Sequence, residues 1–283
     1  MLSQILHWAE KQTGIRSILM VGSRANNGKQ DNLSDYDLSI FGNQFDFIAQ
    51  DDWLNGISAQ TICIHEKFYW GDWQIPTRLV LFENHAKVDF SFHPLSLLEN
   101  MVSTKKLNQT YDAGYQVLLD KDGITGQLPK PSFQAYRIAR PTEHEFENCQ
   151  NEFWFESYHV AKYIMRFDLW AAKIRDHDMK KWLLAMLEWN AATRSNFTLS
   201  IKREGKYISD WIHPAYKSRM GACFAGWDAL AQHSALMASL DLFRTVAKET
   251  ASLLDYAYKE KPDQNLSNYI ATLIPYTDGQ SPL

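Results

Sequence analysis

The sequence of 283 residues has little of what marks a membrane or secreted protein. Its longest apolar stretches, such as SILMV and RLVLF, are strand-sized and fall far short of the roughly 20 residues that a membrane-spanning helix needs. The first residues, MLSQILHWAEKQ, contain an early acid and lack a small-residue cleavage site, so we expect no signal peptide. These absences favour a cytoplasmic protein with no membrane partner.

Cysteine is scarce, and its distribution argues against a disulfide framework. Cys63, Cys149 and Cys223 are odd in number, far apart and without the paired spacing of a metal motif. We therefore expect reduced thiols, on the surface or in the core.

Charge of one sign is not in large excess. The formal net charge is −4, and no cluster of lysine and arginine forms a stripe that would neutralise many phosphates. We therefore expect no nucleic-acid partner. The composition is 45% hydrophobic and 22% charged, close to globular averages, which indicates a chain that is folded throughout.

The two halves of the chain have different sequence patterns, and the length of the chain suits two domains. In the first half helical and strand patterns alternate, with strands expected at 16–21, 35–41, 78–82 and 87–92 and helices at 2–12 and around 47–57. From Pro141 onward helix formers dominate, and Thr142 with Glu145 fits a capping box. We predict an α+β fold, with an α+β domain over 1–130 and an all-α domain over 131–283.

Three aspartates stand out because aspartate is a poor strand former. In DYDLSIF, strand alternation directs Asp35 and Asp37 to one face, with Cα atoms about 6 to 7 Å apart. In KVDFSF the same alternation buries the apolar residues and leaves Asp89 on the polar side with Lys87. If the two strands are neighbours, the three carboxylates converge, and such hard oxygen donors suit magnesium with substrate phosphates.

A Gly-Ser pair just upstream adds a phosphate-binding candidate. Gly22 lets the backbone approach a phosphate, and N–H groups together with the hydroxyl of Ser23 can cradle it. Each short motif alone is common on turns and exposed strands. The ordered set of strand, Gly-Ser, Asp-x-Asp strand and third aspartate is far more specific.

The sequence resembles the aminoglycoside 6-adenylyltransferases that inactivate streptomycin, within the nucleotidyltransferases of the polymerase-β type. Similar stretches follow in the same order along nearly the whole chain: GSRAN, DYDL, KVDFSFHPL, VLLDKDG, RPTEHEFENCQNEFW and LFRTVAKETASLLDYAY. The resemblance implies an N-terminal nucleotidyltransferase domain with a mixed sheet, followed by a helical bundle. It also implies that ATP and the aminoglycoside meet in a cleft between the domains, with magnesium as cofactor and pyrophosphate as product.

Several site residues follow from this likeness. Asp35 and Asp37 match the metal-binding pair, Asp89 matches the third carboxylate, and Ser23 matches the residue that holds the triphosphate. Physical reasoning gives the same roles, because metal ions bridging the phosphates offset negative charge and an acid near the acceptor can take its proton. Arg24 is a further candidate for a phosphate contact, although arginines at strand ends are more often solvated or salt-bridged.

The helix after Pro141 supplies the other candidates. NEFWFE places Glu152 and Glu156 one turn apart with Trp154 between them, which suits a cationic, guanidinium-bearing acceptor. We expect Glu152 to face Asp89 across the cleft. Further along the helix, Lys162 could reach the triphosphate, although lysines at such positions are usually solvated.

Two departures from the family pattern leave the acceptor open. The stretch IHEKFYWGDWQIPTR differs from the proline-rich loop expected before the hairpin, and CQNEFWF replaces a double cysteine. The alternatives are another small molecule, a protein side chain, or a nucleotide-binding module that has lost catalysis. The presence of all three carboxylates counts against the last, and the lack of a basic face counts against an RNA nucleotidyltransferase.

Overall fold

The computed structural model describes residues 1–25, 31–201 and 205–273. The chain divides into two compact units, Met1–Tyr136 (unit 1) and Arg137–Leu283 (unit 2), each with its own hydrophobic core. The boundary expected from the sequence, after residue 130, falls a few residues before this division.

Unit 1 is built on a six-stranded mixed sheet with the strand order β3-β4-β5-β2-β1-β6. In chain order its helices and strands are α1 (Leu2–Lys11), β1 (Ile15–Val21), β2 (Tyr36–Gly42), β3 (Gln60–Trp70), β4 (Trp73–Phe82), β5 (Lys87–Pro94), α2 (Leu95–Thr104), α3 (Gln109–Asp112) and β6 (Gln116–Asp120). The central strands β2 and β5 are parallel, and the other neighbouring pairs are antiparallel.

The alternation of side chains gives the sheet two different faces. Val88 and Phe90 of β5 point to the same side as Leu38 of β2, and all three are buried in one core. Asp37 and Asp89 therefore point to the other side of the sheet. The expected burial of the apolar residues of β5 is confirmed.

Two expectations for unit 1 were wrong. The segment around 47–57 forms two short 3-10 turns, Asp46–Ala49 and Asp52–Gly56, instead of an α-helix. The carbonyl of Ile48 accepts a hydrogen bond from Arg78 (2.6 Å), so it is taken by a side chain and not by a helical N–H. The stretch 64–78, which we expected to form a loop, lies within the β3–β4 hairpin.

Unit 2 is all-α. Its helices are α4 (Glu143–Met165), α5 (Leu169–Arg194), α6 (Ile208–Trp211), α7 (Pro214–Met220), α8 (Ala229–Leu254) and α9 (Glu260–Thr272). The predicted capping box opens α4, since Thr142 Oγ1 accepts from the N–H of Glu145 (3.2 Å) and Glu145 Oε2 accepts from the N–H of Thr142 (2.8 Å). In the core, the rings of Phe153 and Phe243 stack 3.6 Å apart.

The predicted fold class is confirmed: a mixed sheet with helices forms the N-terminal part, and the described residues of the C-terminal part form helices and no strand. Within the part of the chain that the structure describes, no helix combines the length and the apolar character that crossing a membrane requires.

Candidate functional site

The strand register brings two of the predicted aspartates together. β2 and β5 are parallel neighbours, and Asp37 lies directly opposite Asp89 in the ladder. Because both residues follow the same alternation, their side chains share one face of the sheet. Asp35 directly precedes β2, so the neighbouring strands that the sequence analysis required are present.

Lys87 connects two of the three carboxylates, those of Asp35 and Asp89. Lys87 Nζ donates to Asp35 Oδ2 (2.8 Å) and to Asp89 Oδ2 (3.0 Å). Burial opposes the charge of this amine, but its bonds to the two carboxylates raise the pKa of Lys87 above its ordinary value. The ammonium group therefore places a positive charge between Asp35 and Asp89, a role that the sequence analysis missed.

Asp89 is the carboxylate with the least favourable surroundings. Burial raises its pKa above the ordinary value, even though Lys87 acts in the opposite direction. Its Oδ1 atom is buried, and no described residue forms a hydrogen bond to it. A buried carboxylate oxygen without a partner is costly, so this atom is suited to binding a cation.

Gly22 allows the chain to turn against Asp37. β1 ends at Val21, and Gly22 begins a 3-10 turn, Gly22–Arg24, with a φ of +71°. A Cβ atom at residue 22 would lie 2.0 Å from Asp37 Oδ2. Only glycine combines this backbone conformation with such a close approach, and Ser23 follows it directly.

Arg24 holds the chain in front of β2. Its guanidinium donates to the carbonyl of Ser34 from Nε (2.9 Å) and from a terminal nitrogen (2.6 Å), and to the carbonyl of Asp35 from Nε (3.1 Å). It also lies over the ring of Tyr36, 4.1 Å from the centroid. These bonds fix the segment that presents Asp35, and the predicted phosphate contact of Arg24 stays a prediction.

The three aspartates offer hard oxygen donors only, which is the ligand set that magnesium prefers. Together with the partnerless Oδ1 of Asp89, this donor set fits a magnesium ion. One oxygen from each of Asp35, Asp37 and Asp89 cannot be chosen so that all three lie within 4.8 Å of one another. Among the described residues, the only three aspartate, glutamate, cysteine or histidine side chains with ligand atoms this close together are Asp51, Cys63 and His65.

The candidate acids on α4 differ in their surroundings. Glu152 is half-buried and forms no hydrogen bond or ion pair with another described residue. Glu156 is buried, and its carboxylate pairs with the guanidinium of Arg175 at 3.2 Å. A cationic ligand at Glu156 would have to compete with this arginine, whereas Glu152 carries no such competitor within the described chain.

Trp154 does not fit the predicted role in binding a ligand. Only 1% of the residue is exposed, and its ring packs in the core of unit 2 against Phe153 (ring centroids 5.4 Å apart). Two residues along a helix correspond to about 200° of rotation, so a residue between Glu152 and Glu156 in sequence points to the opposite side.

Lys162 lies in the last turn of α4. Its ammonium group is 5.5 Å from the ring centroid of Tyr158 and 5.7 Å from that of Tyr163. Its contact with a triphosphate stays a prediction. The same holds for the expectation that Glu152 faces Asp89, because these residues belong to separate units.

Comparisons with known proteins give one family. A family model described as streptomycin adenylyltransferase matches residues 1–273. An aminoglycoside 6-adenylyltransferase from Campylobacter jejuni is 27% identical over 286 residues, covering 94% of this chain and 92% of that protein. One from Bacillus subtilis (strain 168) is 28% identical over 279 residues, covering 95% of each chain. A crystal structure of an aminoglycoside 6-adenyltransferase from Bacillus subtilis covers 96% of this chain and 97% of its own, with 22% identity and a TM-score of 0.47.

Proposed function

The chain belongs to the streptomycin adenylyltransferase family, and we propose that it transfers AMP from ATP to a hydroxyl group of an aminoglycoside and releases pyrophosphate. The activity in the names of its relatives supports the aminoglycoside as acceptor, with streptomycin as the first candidate. The observation that carries the proposal is the pairing of Asp37 with Asp89 beside the Gly22 turn. ATP as co-substrate suits a cytoplasmic enzyme.

The three aspartates have distinct tasks in this proposal. Asp35 and Asp37, with Asp89, would hold magnesium, which when bound offsets the charge of the triphosphate as pyrophosphate leaves. The turn at Gly22 and Ser23 would orient the triphosphate through backbone N–H groups and the hydroxyl. Asp89 would also accept the proton of the attacking hydroxyl.

Asp89→Asn is expected to lower kcat by about 100-fold or more and to change the KM for ATP much less, because the removed group acts on the acceptor proton. In the native enzyme the base must be ionised. Because protonation of Asp89 removes the base, activity should fall as the pH is lowered. Initial rates measured against pH for both proteins test this. An equal loss in kcat and in affinity for ATP would contradict the role as base.

Glu152→Gln is expected to raise the KM for streptomycin about tenfold or more while leaving the KM for ATP nearly unchanged, since a charge-assisted hydrogen bond to a guanidinium group is lost. Glu143→Gln, at the exposed start of the same helix, is the matched control and should change neither constant. Steady-state kinetics with each substrate varied in turn measures both effects. Equal changes for the two substrates would remove Glu152 from the acceptor site.

A panel of acceptors tests the proposed function itself. The purified protein is incubated with ATP, magnesium and one of several aminoglycosides, and pyrophosphate is measured together with the mass of the acceptor. We expect pyrophosphate and a product heavier by one AMP with streptomycin. Release with a different small molecule or with protein substrates alone would overturn the choice of acceptor, and no release with any acceptor would overturn the transferase activity.

A further inference from the structure

A second group of side chains that can bind metal lies in unit 1. Cys63 and His65 are two residues apart on β3, so strand alternation directs both to one face of the sheet. In the ladders Cys63 lies opposite Val80, and Val80 lies opposite Val88, which is on the same face of the sheet as Leu38 and Phe90. Because Asp89 follows Val88 directly, it points to the other face. The cluster is therefore separate from the candidate transferase site.

Asp51 completes the cluster from a different segment. It lies between the two 3-10 turns that follow β2, and its Oδ2 atom is 2.7 Å from His65 Nε2. One ligand atom from each of Asp51, Cys63 and His65 lies within 4.8 Å of the other two. In a tetrahedral zinc site with bonds of about 2.0 Å to oxygen and nitrogen and about 2.3 Å to sulfur, these atoms are about 3.3 to 3.6 Å apart. Small rotations of these three side chains would bring their ligand atoms to the separations of a zinc site.

Arg78 positions the carboxylate of this cluster. Its Nε donates to Asp51 Oδ1 (3.3 Å), and its terminal nitrogens donate to the carbonyls of Ile48 (2.6 Å) and Thr77 (3.1 Å). The arginine is buried and binds Oδ1 of Asp51, while Oδ2 of the same carboxylate is directed towards His65. Carboxylates that bind metals are commonly fixed by hydrogen bonds of this kind.

We propose that Asp51, Cys63 and His65 bind a zinc ion through a carboxylate oxygen, the sulfur and a ring nitrogen, with the fourth position taken by water. Sulfur, nitrogen and oxygen donors in a set of three are typical of zinc, and a thiolate favours zinc over magnesium. On binding, the Cys63 thiol loses its proton to solvent and the hydrogen bond between His65 and Asp51 is replaced by bonds to the metal. The positive charge of Arg78 opposes the cation and is offset by the thiolate and the carboxylate.

The ion would join two segments that the fold connects weakly. β3 is an edge strand with most of its side chains exposed on both faces, and among the described residues only β4 pairs with it. Asp51 lies in the chain that leads into β3. A metal bond between them would therefore tie the edge strand to the preceding turns and stabilise the folded state according to the zinc concentration.

The test measures metal binding by the whole chain without ATP. The protein is stripped with a chelator, and Zn²⁺ is titrated against a chromophoric competitor. We expect one ion per chain in the wild type and affinity reduced at least about 100-fold in Cys63→Ser and in His65→Gln. His7→Gln, an exposed histidine on α1, is the matched control and should bind like the wild type. Equal affinity of the wild type, Cys63→Ser and His65→Gln would overturn the site.

Cobalt gives a second readout that depends on the sulfur. Co²⁺ bound to a thiolate produces a charge-transfer band in the near ultraviolet, which we expect in the wild type and in Asp37→Asn but not in Cys63→Ser. Absence of the band in the wild type would overturn the proposal even if some zinc binds elsewhere. Asp37→Asn separates this proposal from the proposed function, because it removes a ligand of the transferase site and leaves the zinc ligands intact.

Discussion

Replacement of Asp37 by asparagine is expected to lower the rate of AMP transfer at least about 1000-fold and to leave the fold intact. Asp37 lies opposite Asp89 and against the Gly22 turn, so its charge acts where the phosphates and magnesium are proposed to bind. Asparagine keeps the shape of the side chain and removes the charge. Asp35→Asn should have an effect of similar size.

Initial rates of pyrophosphate release and thermal unfolding of the same preparations measure this prediction. Asp72→Asn, at the exposed tip of the β3–β4 hairpin, is the matched control and should keep the wild-type rate. Retention of more than about a tenth of the wild-type rate in Asp37→Asn would reject Asp37 as a metal ligand. A large fall in unfolding temperature would show that the loss of rate comes from the fold.

Gly22→Ala is expected to lower activity by about 100-fold or more, because the added Cβ would lie 2.0 Å from Asp37 Oδ2 and must displace either the turn or the carboxylate. The positive φ adds backbone strain of about 1 to 2 kcal/mol. Activity and the free energy of unfolding should therefore both decrease.

Gly71→Ala separates these two causes. Gly71 also has a positive φ, +57°, but a Cβ atom there would meet no atom within 4 Å. We expect Gly71→Ala to lose stability through strain alone and to keep its activity. Denaturant unfolding and initial rates of the two variants make the comparison. If Gly22→Ala were as active as Gly71→Ala, the close approach to Asp37 would have no functional role.

The carboxylate face could be predicted from the sequence because strand alternation is strict. Given two strands that contain Asp37 and Asp89, their period of two residues fixes which side each aspartate occupies. Whether β2 and β5 are neighbours is a question of long-range pairing, which no local pattern determines. The resemblance to known enzymes implied it, and the register confirms that the two strands pair.

Other features of the fold and the site could not be predicted from local sequence patterns, or were predicted without regard to the repeat of the helix. β3 was missed because an edge strand exposed on both faces lacks regular alternation of apolar and polar residues. Proximity in sequence predicts Trp154 beside Glu152, whereas helical geometry puts its ring in the core. The sequence places Lys87 on the polar side of β5 with Asp89, but a lysine on a strand gives no sign that it will bridge two carboxylates.

The cluster of Asp51, Cys63 and His65 also could not be predicted from local sequence patterns. The spacing of Cys63 and His65 on one strand is visible in the sequence, but a search for paired cysteines does not detect it. Asp51 reaches the cluster only because the chain turns back through two 3-10 segments and Arg78 holds its carboxylate. Tertiary contacts, not local pattern, assemble the group.

The most direct test of the proposed activity follows the phosphates of ATP. The protein is incubated with streptomycin, magnesium and ATP labelled at either the α- or the γ-phosphate, and the label on the acceptor is measured for the wild type and Asp37→Asn. We predict that α-label is transferred to the acceptor, that γ-label appears only in pyrophosphate, and that Asp37→Asn transfers neither. Transfer of γ-label to the acceptor, or transfer of α-label by Asp37→Asn at the wild-type rate, would contradict a nucleotidyl transfer carried out by these aspartates.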